Sequence, residues 1–163
     1  MVRLRLDRLQ QRFQHWRERY QGWRFGTIDS TAKIGKRGEQ AAAILLRRKG
    51  LTIVAEGETD RGGEIDLIAI ERQRGQRPTI VFVEVKTLAS RKPGHPADRV
   101  DDEKQRRLTA AALRFLKRNR LLQHRARFDV VAVWWPDQDL PRPQRIQHYE
   151  HAFEAVGKNQ FYS

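Results

Sequence analysis

The sequence contains no cysteine, which excludes disulfide staples, thiolate zinc sites, iron–sulfur clusters and a cysteine nucleophile. Its five histidines are scattered and show no ligand spacing that would replace them. Long apolar runs are missing as well. The longest, Ala41 to Leu46 and Val130 to Trp135, fall far short of the ~18 residues that cross a bilayer. Nor is there a secretory h-region at the start, because Arg3, Arg5, Asp7, Arg8 and Arg12 interrupt it, and Asp7 and Glu18 argue against an organellar transit peptide. A cytoplasmic protein without a membrane span is expected. With 39% hydrophobic residues in a chain of 163, one domain with one core is the natural organisation.

Acids are scarce relative to bases. Twenty Asp and Glu face 33 Lys and Arg, most of them arginine, for a net charge of +13. Arginine's planar fork matches phosphate oxygens, and a basic surface gains affinity for nucleic acid by releasing condensed counterions. Nucleic acid, DNA first, is therefore the expected partner.

The chain divides into an N-terminal basic extension over 1–30, a main domain over 31–157 and a short tail over 158–163. In the extension Leu6, Leu9, Phe13, Trp16 and Tyr20 recur at three- and four-residue steps, predicting a helix with one apolar side and an arginine-rich opposite side. From Gly35 to Gly50 the spacing of Ala41, Ile44 and Leu45 predicts a helix that stops at a glycine. A strand over Leu51 to Ala55 follows. Gly62 and Gly63 turn the chain into EIDLIAI, where strict alternation sets Glu64, Asp66 and Ile68 on one face and Ile65, Leu67 and Ala69 on the other. In the next strand, TIVFVEVKT, Val81, Val83 and Val85 share a face, and Ile80, Phe82, Glu84 and Lys86 share the other. The short connection between these two strands predicts antiparallel neighbours. After a Pro- and Gly-rich loop, Asp101 or Asp102 caps a helix over about 103–120. FDVVAVWW then reads as a central strand, with a last strand from Arg145. This order predicts an α/β sandwich with a mixed central sheet flanked by helices.

Asp66 and the triplet Glu84-Val85-Lys86 carry the chemistry. Glu84 and Lys86 project to one face of a strand, and Asp66 on a paired neighbour stands within ~5 Å of one of them at the Cβ level. Adjacent carboxylates repel unless a hard divalent cation or a cationic side chain compensates them. Mg²⁺ or Mn²⁺ held by such a pair would keep waters for phosphodiester hydrolysis, with Lys86 stabilising phosphoryl charge or helping to deprotonate water. Both acids lie in strands too apolar to be solvated edges, where unpaired charge is costly. Lys104, on the core-facing side of its helix start, is placed to point a charge at a phosphate. Asp129, next but one to Arg127, reads as half of a structural ion pair.

The segments GKRGEQAA (35–42), GEIDLI (63–68), FVEVKT (82–87) and RFDVV (127–131) resemble, in order and spacing, the YraN family of small bacterial proteins. That resemblance covers about residues 33–157 and implies a restriction-endonuclease-like fold, similar to Holliday-junction resolvases in the PD-(D/E)xK nuclease group. It implies that Glu39 is a helix-borne acid, Asp66 the strand acid, Glu84 the second metal carboxylate and Lys86 the catalytic lysine, with Glu39, Asp66 and Glu84 around Mg²⁺ or Mn²⁺. Ile65 stands where the group's name has proline. The basic residues Lys36, Arg37, Arg61, Arg91 and Lys104, near these motifs, are candidate nucleic-acid contacts. Branched DNA falls among the implied substrates, and resolving a junction would take two sites and hence a homodimer. The alternative is a non-catalytic nucleic-acid-binding or adaptor protein that keeps the nuclease scaffold.

Overall fold

The computed structural model describes residues 26–89 and 100–156. The N-terminal stripe, the loop holding Arg91 and His95, and the tail lie outside the described residues. Helix α1 runs over Ile34–Arg48, followed by strands β1 (Thr52–Asp60), β2 (Gly63–Glu71) and β3 (Thr79–Leu88). Helix α2 (Asp102–Arg118) then crosses to β4 (Arg125–Trp134), and β5 (Arg145–Phe153) closes the order. The five strands form one mixed sheet in sequence order, antiparallel except for the parallel pair β3 and β4. That exception follows from α2, because parallel neighbours need a crossover long enough to return the chain to the same end. β3 therefore holds the middle of the sheet. β4, expected to be central from its unbroken apolar run, is internal but one place off centre.

Each face of the sheet is covered by one helix. Under α2, Ile80 and Phe82 pack with Leu108, Ala112, Phe115, Phe128 and Val130. Phe82 meets the Phe115 ring edge-on, with centroids 5.9 Å apart. Under α1 the layer is thinner: Ala41, Ala42, Ala43 and Leu46 face Val81, Val83, Val131 and Val133. Small side chains let this helix approach closely. At its start the approach is closest, since a Cβ added to Gly38 would lie 1.9 Å from Thr87 Oγ1. Ile28, ahead of α1, also packs on this layer.

The helix ends are built by familiar local rules, with one departure. Asp101 caps α2 by accepting from Lys104 N at 2.8 Å. Both helices end in the same pair of backbone bonds, Gly50 N to Arg47 O and Leu51 N to Leu46 O in α1, Arg120 N to Lys117 O and Leu121 N to Leu116 O in α2. The left-handed residue of this motif is Gly50 in α1 (φ 89°) but Arg120 in α2 (φ 57°).

Alternation along β2 does not hold to its start. Leu67 and Ala69 face α1 as expected, but Ile65 joins Ile68 and Ile70 under α2. The pairing of β2 with β3 stops at Leu67 and Val83. β2 stays paired with β1 at Leu67 and again at Ile65, but Asp66 between them stands opposite Gly57, whose left-handed backbone (φ 58°) interrupts the alternation, and Ile65 turns into the larger core.

Beneath the C-terminal end of α1 lies a buried polar network. Asp129, fully buried, accepts from Arg127 Nε at 3.0 Å, His148 Nε2 at 2.8 Å and the His151 amide at 3.0 Å. Arg127 also binds Glu71 at 2.5 Å, and Lys49 Nζ lies 3.0 Å from His148 Nδ1. An ammonium can only donate, so His148 Nδ1 accepts and its Nε2–H points at Asp129. Burial pushes the Asp129 carboxyl up, but the hydrogen bonds from His148 and Arg127 prevail and hold it below its ordinary value. The ion pair with Arg127 is legible in the sequence. The histidine is not, because His148 arrives from a strand 19 residues away. Removing Arg127 leaves two carboxylates without their cation, so Arg127→Leu is expected to cost ~3–5 kcal/mol in urea unfolding. Arg127→Lys should recover part of that loss, and a cost under ~1 kcal/mol for Arg127→Leu would contradict the network's structural role.

Candidate active site

The site forms where β2 and β3 separate. Past the last pair, Leu67 with Val83, the amide of Val85 donates to Asp66 Oδ2 at 2.7 Å. The Asp66 carboxylate thus takes the place of backbone pairing and is fixed beside Glu84, the next residue of β3. Glu84 continues the face of Ile80 and Phe82 and is only 4% exposed. Lys86 Nζ lies 2.9 Å from its Oε1, and Lys104 Nζ, from the first turn of α2, lies 3.2 Å from its Oε2. Glu84 Oε2 is nevertheless left without a well-formed hydrogen bond. Burial first, and then the charge of Glu84, push the Asp66 carboxyl up to about 7. Glu39 adds to that push, whereas the Val85 amide and Lys104 oppose it.

The structure thus brings Asp66, Glu84, Lys86 and Lys104 into one cluster. Among the described residues no group of three His, Cys, Asp or Glu side chains is placed to hold a metal ion together. Glu39, expected as a third ligand, pairs with Lys36 Nζ at 2.8 Å and is near enough to Asp66 for its charge to act on that carboxyl. Two carboxylates still match an ion that takes one or two protein ligands and keeps its waters, as Mg²⁺ does. A buried Glu84 oxygen lacking a good donor and an Asp66 carboxyl destabilised by its neighbour are what such an ion would relieve.

The expected nucleic-acid contacts divide by environment. Arg61 is exposed on the β1–β2 turn. Lys36 is exposed but paired with Glu39. Arg37 does not face solvent. It is buried at 6% exposure, its guanidinium lies 4.3 Å over the Trp135 ring, and it donates to the carbonyls of Gln138 and Leu140 at 2.5 Å. That side chain clamps the β4–β5 loop to α1, a role with no local sequence signal because its partners are about 100 residues away. Arg91 lies outside the described residues.

Residues 38–133, spanning the start of α1 to the end of β4, match the uncharacterised protein family UPF0102. The chain belongs to UPF0102. A UPF0102 protein of Rhodopirellula baltica is 64% identical over 144 residues, 88% of this chain and 83% of its own length. UPF0102 proteins of Trichlorobacter lovleyi and Geobacter sulfurreducens are each 40% identical over 123 residues, 76% of this chain and about nine-tenths of theirs. The match to UPF0102 contains all four clustered side chains.

The raised Asp66 carboxyl sets a pH dependence of stability. Between its ordinary value of 3.8 and about 7 the folded chain keeps a proton that the unfolded chain has released. Stability therefore falls as pH rises through that window, and the whole penalty is present above it. Asp66→Asn keeps the shape without the charge. Without divalent ions its Tm should exceed that of the natural chain by roughly 4 °C or more at pH 8 and by little at pH 4. A difference that does not change with pH would contradict the repulsion between Asp66 and Glu84.

Proposed function

We propose that the protein is a metal-dependent nuclease of restriction-endonuclease-like fold that hydrolyses DNA phosphodiesters at Asp66, Glu84 and Lys86. The observation that carries this reading is the juxtaposition of two carboxylates, one buried and one raised to about 7, with two lysines on the buried one. A stabilising role would favour one carboxylate with one lysine. Two acids forced together in an apolar setting cost stability, the signature of a site arranged for a ligand or a reaction. The mixed sheet with a helix on each face and a helical crossover between β3 and β4 also supports this fold assignment.

Mg²⁺ or Mn²⁺ would be held by Asp66 and Glu84, and when bound would supply charge neutralisation and an activated water. The chain's own groups do the rest. Lys86 donates to the phosphoryl oxygens as negative charge develops there. Asp66, its Oδ2 already holding the Val85 amide, is fixed in one orientation beside Glu84. Lys104 places a second positive charge beside the same phosphate. Cutting both strands of a junction would take two copies of the chain. The non-catalytic alternative draws support from the same lysines, since both are already engaged by Glu84.

The deciding experiment incubates the full chain with linear, flapped and four-way DNA in Mg²⁺ or Mn²⁺ and measures Mn²⁺ affinity by calorimetry. Lys86→Ala should lower the cleavage rate by about 10²–10³ while binding Mn²⁺ as tightly or more tightly, because it removes a competing charge. Lys104→Ala should likewise tighten Mn²⁺ binding. Asp66→Asn should weaken it. If the natural chain cuts no substrate and binds Mn²⁺ no better than Asp66→Asn, the catalytic reading gives way to a nucleic-acid-binding scaffold.

A further inference from the structure

Among the described residues, the arginines free to meet phosphate are densest away from the active site. Around the carboxylates Lys36 is engaged by Glu39, Lys86 and Lys104 by Glu84, and Arg37 lies in the interior, which leaves Arg61 on the β1–β2 turn as the exposed arginine there among the described residues. Along the outer side of α2 three of the arginines are engaged, Arg107 by Glu103, Arg114 by Asp60 at 2.8 Å and Arg118 by Glu58, while Arg106 is exposed without an ion pair among the described residues. The opposite pole is different. There the β2–β3 loop carries Arg72, Arg74 and Arg77, and the α2–β4 turn and strand start carry Arg120 and Arg125. All five are exposed and form no ion pair among the described residues. The segments 72–78 and 117–126 contain no acid.

The two segments adjoin. Thr79 at the start of β3 is paired with Arg125 at the start of β4. Arg77 is close enough to His124 that its charge adds to burial in lowering the imidazole pKa. The nearest acid along the strand, Glu71, is committed to Arg127. Repulsion among such cations persists in the folded chain unless an anion relieves it.

Arg120 adds an independent sign. The chain uses glycine for the left-handed position at the end of α1 and arginine for the same position, with the same two hydrogen bonds, at the end of α2. Glycine is the unstrained choice there. A side chain kept in a strained conformation points to a use for it.

We propose that this pole is a second nucleic-acid surface, which grips the phosphate backbone of a segment other than the one at Asp66 and Glu84. Seven residues of β3 separate Thr79 from Lys86, or roughly 23 Å at ~3.3 Å per residue. On the face joining the poles Arg107, Arg114 and Arg118 are neutralised by acids, so free charge is sparser there. Two separate segments, such as two arms of branched DNA, fit this distribution better than one continuous track. The inference rests on the proposed function only for the class of ligand, and its test reads binding rather than cleavage.

The full chain is mixed with donor- and acceptor-labelled short duplexes, and energy transfer reports whether one protein brings two together. The triple variant Arg72→Gln, Arg74→Gln, Arg77→Gln should lose most of that transfer. Its log–log salt dependence should become shallower by ~0.9 for each phosphate that is no longer neutralised, and its Mn²⁺ affinity should stay unchanged. Arg120→Gly should hold or raise Tm yet weaken DNA binding several-fold, which a merely structural residue would not do. Unchanged transfer and slope in the triple variant would overturn the proposal. So would a loss of binding to vesicles rich in phosphatidylserine with none to DNA, which would make the pole a membrane-facing surface. Absence of cleavage by the natural chain would count against the nuclease reading alone.

Discussion

Asp66 and Glu84 meet where backbone pairing between β2 and β3 has just ended, and much of the molecule is arranged around that meeting. A carboxylate that replaces a carbonyl as partner of the Val85 amide is held rigidly, so it cannot swing away from the second carboxylate beside it. Glu84, nearly excluded from water, needs positive charge from two directions and obtains it from Lys86 on its own strand and Lys104 on α2. The helix start must therefore lie over the end of β3. The Asp101 cap, which takes the Lys104 amide, fixes where that start falls. On the other face Gly38 lets α1 close on Thr87 at the same strand end.

A second set of charges is treated in the opposite way. Asp129, Arg127 and the His148 ring are buried and, with half-buried Glu71, satisfy one another, while Lys49 covers the histidine's far nitrogen. There the Asp129 carboxyl is held down, whereas beside Glu84 the Asp66 carboxyl is pushed up. The contrast separates a carboxylate used to build from one left partly unsatisfied. The same distinction applies to cations: Arg37 and Arg127 are internal clamps, while Arg72, Arg74, Arg77, Arg120 and Arg125 face solvent. A net charge of +13 thus says little about where a polyanion binds until paired and free arginines are told apart.

Local chemistry determined a good deal by itself. The periods of α1 and α2, the Asp101 cap, the Gly50 stop and the two-residue alternation that puts Glu84 and Lys86 on one face of β3 each follow from a few neighbouring residues, and the structure has them all. The short link from β2 to β3 similarly determined their antiparallel pairing. Tertiary structure decided what depends on distant partners. The left-handed Gly57 of β1, opposite Asp66, sent Ile65 to the other core, and Trp135 with the carbonyls of Gln138 and Leu140 turned Arg37 inward. β5 likewise brought His148 to Asp129. In each case the side chain's type was visible in the sequence. Its role depended on which strand or loop came to lie beside it, because a charge is defined energetically by its nearest partner and its distance from water.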